Sequence, residues 1–175
     1  MSVYQWVEGA VPCGLEVKQV YGIVFAEDGR ILLRKDGEKY SLPGGKPEPF
    51  DLNIEATLKR ELDEELNVSV SRIVIAGYQL VDEENGIPAY AQVRMAAKLD
   101  RFGASRPDPD TGRTYERIFV SPKQAISLLD WGDVGRGQIC SAVTIAKELL
   151  GISDVKLKNE SSGGCDEKTK IYIQK

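Results

Sequence analysis

Three glutamates set the chemistry open to this chain. Glu61, Glu64 and Glu65 stand beside Arg60 in the run Arg60-Glu61-Leu62-Asp63-Glu64-Glu65-Leu66-Asn67-Val68. Ile54, Leu58, Leu62 and Leu66 recur every four residues, which predicts a helix from Asn53 to Leu66. With Leu58 at zero and about 100° per residue, Glu65 falls at about −20°, Glu61 at about −60° and Glu64 at about −120°. Glu65 thus enters the apolar arc, Glu61 borders it and Glu64 lies beyond on the same side. A helix made only for solubility keeps carboxylates off its buried face. Glu61 and Glu65 are also helical neighbours, and like charges ~4 Å apart repel by about 4 kcal/mol at an effective dielectric of ~20. Such a cluster must stay wet, take up protons or bind a cation. A donor set of charged oxygens suits a hard cation, Mg²⁺ or Mn²⁺.

The composition narrows the alternatives. The chain of 175 residues has no histidine, which excludes histidine triads, HExxH zinc sites and imidazole proton shuttles. Proton transfer is left to carboxylates, Lys, Tyr, Cys or metal-bound water. Lys+Arg number 23 and Asp+Glu 27, a net charge of −4, which argues against binding of a nucleic acid polymer through a basic surface. The window 51–68 holds six acids and two bases, so this one segment carries a charge equal to the excess of the whole chain. The three cysteines, Cys13, Cys140 and Cys165, are far apart in sequence; reduced thiols in a cytoplasm are expected, with Cys140 in a helical core. The first residues show no basic and apolar signal segment, and no run approaches the ~20 apolar residues of a membrane span. A cytoplasmic protein without membrane contact is the expectation.

The elements around the acidic helix are legible from pattern. Val17–Ala26 and Arg30–Arg34 read as a hairpin about Glu27-Asp28-Gly29. Tyr40-Ser41-Leu42 leads into Pro43-Gly44-Gly45-Lys46-Pro47, a loop that its prolines and glycines keep from being helical. Asp51 or Asn53 caps the helix, and Asn67 suits the left-handed position at its end. Val68–Leu80 and Ala89–Leu99 are strands joined at Asn85-Gly86, and Phe102–Thr114 is a loop. Tyr115–Val120 is a strand, Ser121-Pro122 opens a helix to Leu129, and a last helix covers Gln138–Leu150. One domain over 1–152 is expected, followed by a polar tail over 153–175 that is mobile or adds an edge strand at 169–174.

The residues around Glu61 resemble the signature of the Nudix hydrolase family: Gly, five residues, Glu, seven residues, Arg-Glu, an aliphatic, any residue, Glu-Glu, any residue, Gly, an aliphatic. Leu42-Pro43-Gly44-Gly45-Lys46-Pro47 is similar to the loop that precedes it in that family. The chain departs in three places. Asp51 stands for Glu, eight residues separate it from Arg60, and Asn67 replaces Gly. The resemblance covers about Lys18 to Gly151. It implies an α/β fold, an α/β/α sandwich with a mixed β-sheet, and Mg²⁺-dependent hydrolysis of a nucleoside diphosphate linked to another moiety. Mn²⁺ is a substitute.

By that resemblance Glu61, Glu64 and Glu65 are the metal ligands, with the Gly45 carbonyl as a further one, and either Glu61 or Glu64 orients the water. Arg60 holds a carboxylate, Asp51 or one of the glutamates. Gly44, Gly45 and Arg34 are expected to touch substrate, Arg34 at a phosphate, and Glu116 is a candidate second catalytic acid. Trp131, Tyr21, Tyr78 and Tyr90 are candidates for stacking on a base, each set against a place in the core. Asp82, Glu83 and Glu84 read as a solvated turn. The substrate is a small nucleotide, either a nucleoside triphosphate or a nucleotide sugar, and the protein a monomer or homodimer. The alternative is a non-catalytic Nudix-like module that senses a nucleotide.

Overall fold

The structure, a computed structural model, describes residues 2–153 and 172–174. The strands are β1 (Val3–Glu8), β2 (Val17–Phe25), β3 (Ile31–Asp36), β4 (Lys39–Ser41), β5 (Gly44–Gly45), β6 (Val68–Asp82), β7 (Tyr90–Phe102), β8 (Glu116–Val120) and β9 (Tyr172–Gln174). The helices are α1 (Ile54–Leu66), α2 (Pro122–Leu129) and α3 (Gly132–Glu148). The strands form one mixed sheet in the order β4-β3-β2-β7-β6-β1-β9, with β5 paired to β2 and β8 to β3. β2 runs parallel to β7, while the β2–β3, β6–β7 and β3–β8 pairs are antiparallel.

Alternation along β2 explains the layers. Val20 and Val24 face α1 and pack with Leu58, Leu62 and Leu66. Ile23 and Phe25 face the other way, toward Ala125 and Leu129 of α2 and Ile139, Ala142 and Val143 of α3. Both faces of this strand are buried, as expected where a parallel pair runs between helices. Burying Leu58 and Leu62 completely contributes about 2 kcal/mol each. The result is the expected α/β/α sandwich with a mixed sheet.

Local chemistry sets the ends of the helices. Asn53 caps α1, its side chain accepting the Ala56 N–H at 2.9 Å. Asn67 ends it in the left-handed conformation at φ 50°, the role expected for the residue in place of Gly. Its side chain also donates to the Ala104 carbonyl at 2.8 Å, tying the next loop to the helix. Ser121 and Gln124 form a reciprocal capping box on α2, with Pro122 in the first turn.

Three expectations change. α3 begins at Gly132, six residues before Gln138. Its first turns hold Gly132, Gly135 and Gly137, each costing about 1 kcal/mol against Ala in a helix. Packing decides otherwise, because a Cβ on Gly135 would lie 2.6 Å from Trp131 Cβ. Residues 3–8, not expected as a strand, form β1 on β6, with Trp6 fully buried against Gly77. Cys140 is half-buried and disulfide-bonded, not a free core thiol; Cys13 is exposed and free, and Cys165 lies outside the described residues. Of the expected tail, 154–171 and 175 also lie outside them, while the backbone of 172–174 pairs with β1. No helix among the described residues is long and apolar enough to cross a membrane.

Candidate active site

The glycine loop and α1 meet at two carboxylates. Gly44 sits so close to β2 that a Cβ would lie 2.1 Å from the Val20 carbonyl oxygen, and its φ of +142° suits glycine alone. This places the Gly44 N–H 2.9 Å from Glu65 Oε2, to which it donates. Gly45 lies flat against the neighbouring acid, where a Cβ would be 2.4 Å from Glu61 Oε1. Glu65 is 6% exposed and forms an ion pair with Arg34. Burial pushes its pKa up to about 7, against the opposing pull of Arg34 and the Gly44 N–H. Burial also raises Glu61, which Arg60 lowers and the charges of Glu64 and Asp108 raise.

Arg60 organises the other side of the cluster. Its Nε and Nη2 donate to the two Asp51 oxygens at 3.1 and 3.0 Å. Its Nη1 donates to Glu61 at 3.0 Å and Glu64 at 2.9 Å, and Nη2 reaches the Lys46 carbonyl at 2.9 Å. Asp51 also accepts the Glu48 N–H and the Thr57 hydroxyl, both at 2.9 Å. The Arg60 guanidinium holds the Asp51 carboxyl far below the usual carboxylate range. The extra residue between Asp51 and Arg60 therefore does not part them: Asp51 sits before the cap, where the chain still turns toward the helix face. Arg60 holds both kinds of partner foreseen for it.

The glutamates do not form a ready-made triad. Among the described residues no three acidic or cysteine side chains stand close enough to hold a metal ion. Glu61 and Glu64 are drawn to Arg60, and Glu65 to Arg34. The donor set nevertheless fits a hard cation: its side-chain atoms are carboxylate oxygens, and the notch at Gly45 beside Glu61 is one that any Cβ would fill.

Glu116 is a correction. It stands opposite Lys35 in the β3–β8 ladder, beside the Arg34–Arg117 pair. Arg34 reaches Glu65 and Arg117 reaches the Leu66 carbonyl of α1, so alternation turns Lys35 and Glu116 to the other face. There Glu116 is exposed and paired with Lys35 at 3.3 Å. The acid that does approach the site is Asp108, 6% exposed, whose charge raises both Glu61 and Glu65. It lies in the 103–115 loop, where Asp108 Oδ1 accepts the N–H groups of Asp110 and Thr111. In sequence Asp108-Pro109-Asp110 looks like any turn, and only burial singles it out.

A cavity of about 600 Å³ is linked to these acids through Arg34, which lines it and pairs with Glu65. Tyr21 and Trp131 line it too. Tyr21 feels the charges of both Glu61 and Glu65. Tyr78 is buried in the α1-side core, and Tyr90 binds Glu83 at 3.0 Å, away from this cavity. Asp82, Glu83 and Glu84 are exposed, as a solvated turn should be.

A mixed sheet between helices, with a glycine loop set against a glutamate-rich helix beside a cavity, defines a class of hydrolase fold. The NUDIX domain family matches residues 16–139, and the chain belongs to the Nudix hydrolase family. A pyrophosphohydrolase of Bacillus subtilis, BsRppH, has a similar structure, with TM-score 0.56 and 20% identity over 91% of this chain and 92% of that one. An Ap4A hydrolase of C. elegans gives 0.55 and 17% over 74% and 96%, and a MutT protein of Bacillus halodurans 0.50 and 21% over 67% and 76%. At these identities the likeness shows the fold. No curated protein matches the chain significantly.

Proposed function

We propose that the protein is a divalent-metal-dependent pyrophosphohydrolase, with Mg²⁺ as the metal, that cleaves a nucleoside diphosphate linked to another moiety by water attack at phosphorus. The observation that carries this is the pressing of the Gly44–Gly45 backbone against the Glu65 and Glu61 carboxylates. Family members generally use a divalent metal. Glu61, Glu64, Glu65 and the Gly45 carbonyl would hold it. When bound, such an ion screens the anionic diphosphate and acidifies water at neutral pH. Arg60 orients Glu61 and Glu64 while anchored on Asp51. Either Glu61 or Glu64 takes the proton of the attacking water, a role open to a carboxylate in a chain without histidine. Arg34, at the junction of cavity and acids, reaches a substrate phosphate.

The second reading is a module that binds a nucleotide without cleaving it, favoured by the pairing of the acids with Arg60 and Arg34. One assay separates the two. Nucleotide products (nucleoside mono- and diphosphates) are measured by chromatography from a panel of nucleoside triphosphates and nucleotide sugars with Mg²⁺, with Mn²⁺ and with chelator. Turnover of at least one substrate, lost on chelation, is expected. Nucleotide binding without turnover establishes the module instead.

A further inference from the structure

Arg94 is a buried guanidinium that pairs with no carboxylate among the described residues. It lies on β7, is 2% exposed and lines the cavity beside the acids. Its Nε donates to Gln138 Oε1 at 2.6 Å, and Nη1 to the Gln92 carbonyl at 3.2 Å. The guanidinium carbon stands 4.7 Å from the Tyr21 ring centroid and 5.5 Å from that of Trp131. Desolvation pushes its pKa down to about 10. Nη2 makes no hydrogen bond among the described residues. Every fully buried side-chain polar atom among them has a partner, so Nη2 opens onto the cavity.

Arg94 also fixes the direction of a relay of glutamines. A guanidinium can only donate, so Gln138 must turn its oxygen to Arg94 and its amide nitrogen to Gln79, at 2.8 Å. Gln79 then donates to Gln92 at 3.4 Å, and Gln92 to Gln19 at 2.7 Å. The relay ends with Gln19 Nε2 left as a donor on the cavity lining. Both ends of the network therefore offer donors. The one acid of the lining, Asp130, is exposed at the C-cap of α2, apart from this buried run.

We propose that this cavity is the base pocket and that it selects a 6-oxopurine such as guanine, with Arg94 reading the O6 and N7 acceptors. The inference rests on the reading of the protein as a nucleotide hydrolase and names the base that such a substrate carries. Flat aromatic walls suit a planar base better than a second phosphate. Adenine keeps the N7 acceptor but sets its 6-amino donor where O6 would accept from Arg94, and cytosine likewise turns its 4-amino donor toward the guanidinium. A 6-oxopurine offers two adjacent acceptors and no donor on that edge.

The test is binding without metal, so it does not depend on turnover. The chain has two tryptophans, and Trp6 is fully buried, which leaves Trp131 as the fluorescence reporter in the cavity. Quenching is titrated with GMP, IMP, AMP and CMP. GMP and IMP are expected to bind at least ~10-fold more tightly than AMP or CMP, the scale of one hydrogen-bonded base-edge contact from Nη2. Arg94→Gln, whose amide both donates and accepts, is expected to abolish the preference at unchanged circular dichroism. Equal or tighter binding of AMP to the wild-type protein, no binding of any of the four, or a preference kept in a folded Arg94→Gln overturns the proposal. The wild-type comparison decides even where that variant does not fold. Selective binding without hydrolysis would leave this pocket standing and refute the enzymatic reading; hydrolysis without base preference would do the reverse.

Discussion

Glu61 and Glu65 differ from ordinary helix glutamates in what surrounds them. Each is held away from bulk water, one against Gly45 and the other against the Gly44 N–H. Replacing either by Gln keeps shape and removes charge. Glu61→Gln and Glu65→Gln are each expected to lower kcat by about 100-fold or more, the scale of a lost proton-transfer or charge-stabilising group. Steady-state kinetics check this, and a change confined to KM would show that a binding group had been mistaken for a catalytic one. Asp51 acts through Arg60 and has a pH signature. Its folded pKa lies below the unfolded value near ~3.9, so its ion pair contributes stability above that pH, and the contribution fades as pH falls toward the folded pKa. Asp51→Asn should melt at a lower temperature than wild type at pH 7, with the gap starting to narrow only below about pH 4 and still present at about pH 3. A gap that widened on acidification would refute the assignment.

At the scale of the element, α1 works because both its ends are anchored by side chains. Asn53→Ala removes the acceptor for the Ala56 N–H and is expected to cost about 1 kcal/mol, read from urea denaturation. The acids lie past the first turn, so kcat should change far less than with Glu61→Gln. Asn67 does more than stand in for glycine, since it also receives the Arg101 side chain at 3.0 Å and donates to the Ala104 carbonyl. The loop bearing Asp108 thus leaves the helix end already tethered. Arg106 pairs with Asp63 at 2.6 Å and ties the same loop to α1 a second time.

Across the whole molecule, the sheet carries the site by letting distant strands pass close together. Trp6 packs on Gly77, where a Cβ would lie 2.3 Å from the Val7 carbonyl and 2.7 Å from the indole. Gly77→Ala must push β1 off β6 and is expected to destabilise by about 1–3 kcal/mol, seen as a lower melting temperature. The same β6 carries Gln79 into the relay that ends at Arg94, and α3 supplies Gln138. A base pocket so built draws on β2, β6, β7 and α3 at once.

The acidic helix, both its caps, the hairpin before it and the glycine loop were legible in the sequence, because each is a local pattern: a period of about four, a capping residue, a pair of glycines. So was the family, since its motif lies within one continuous stretch. Tertiary structure alone decided the rest. Glu116 looked as suitable as any acid until alternation across β8 turned it to the wrong face. Asp108 gained its place only when its loop folded back beside α1, and Arg94 became a buried cation only once α3 covered β7. Spacing along the chain specifies what a helix face presents, whereas burial, strand register and the meeting of remote residues belong to the folded chain as a whole.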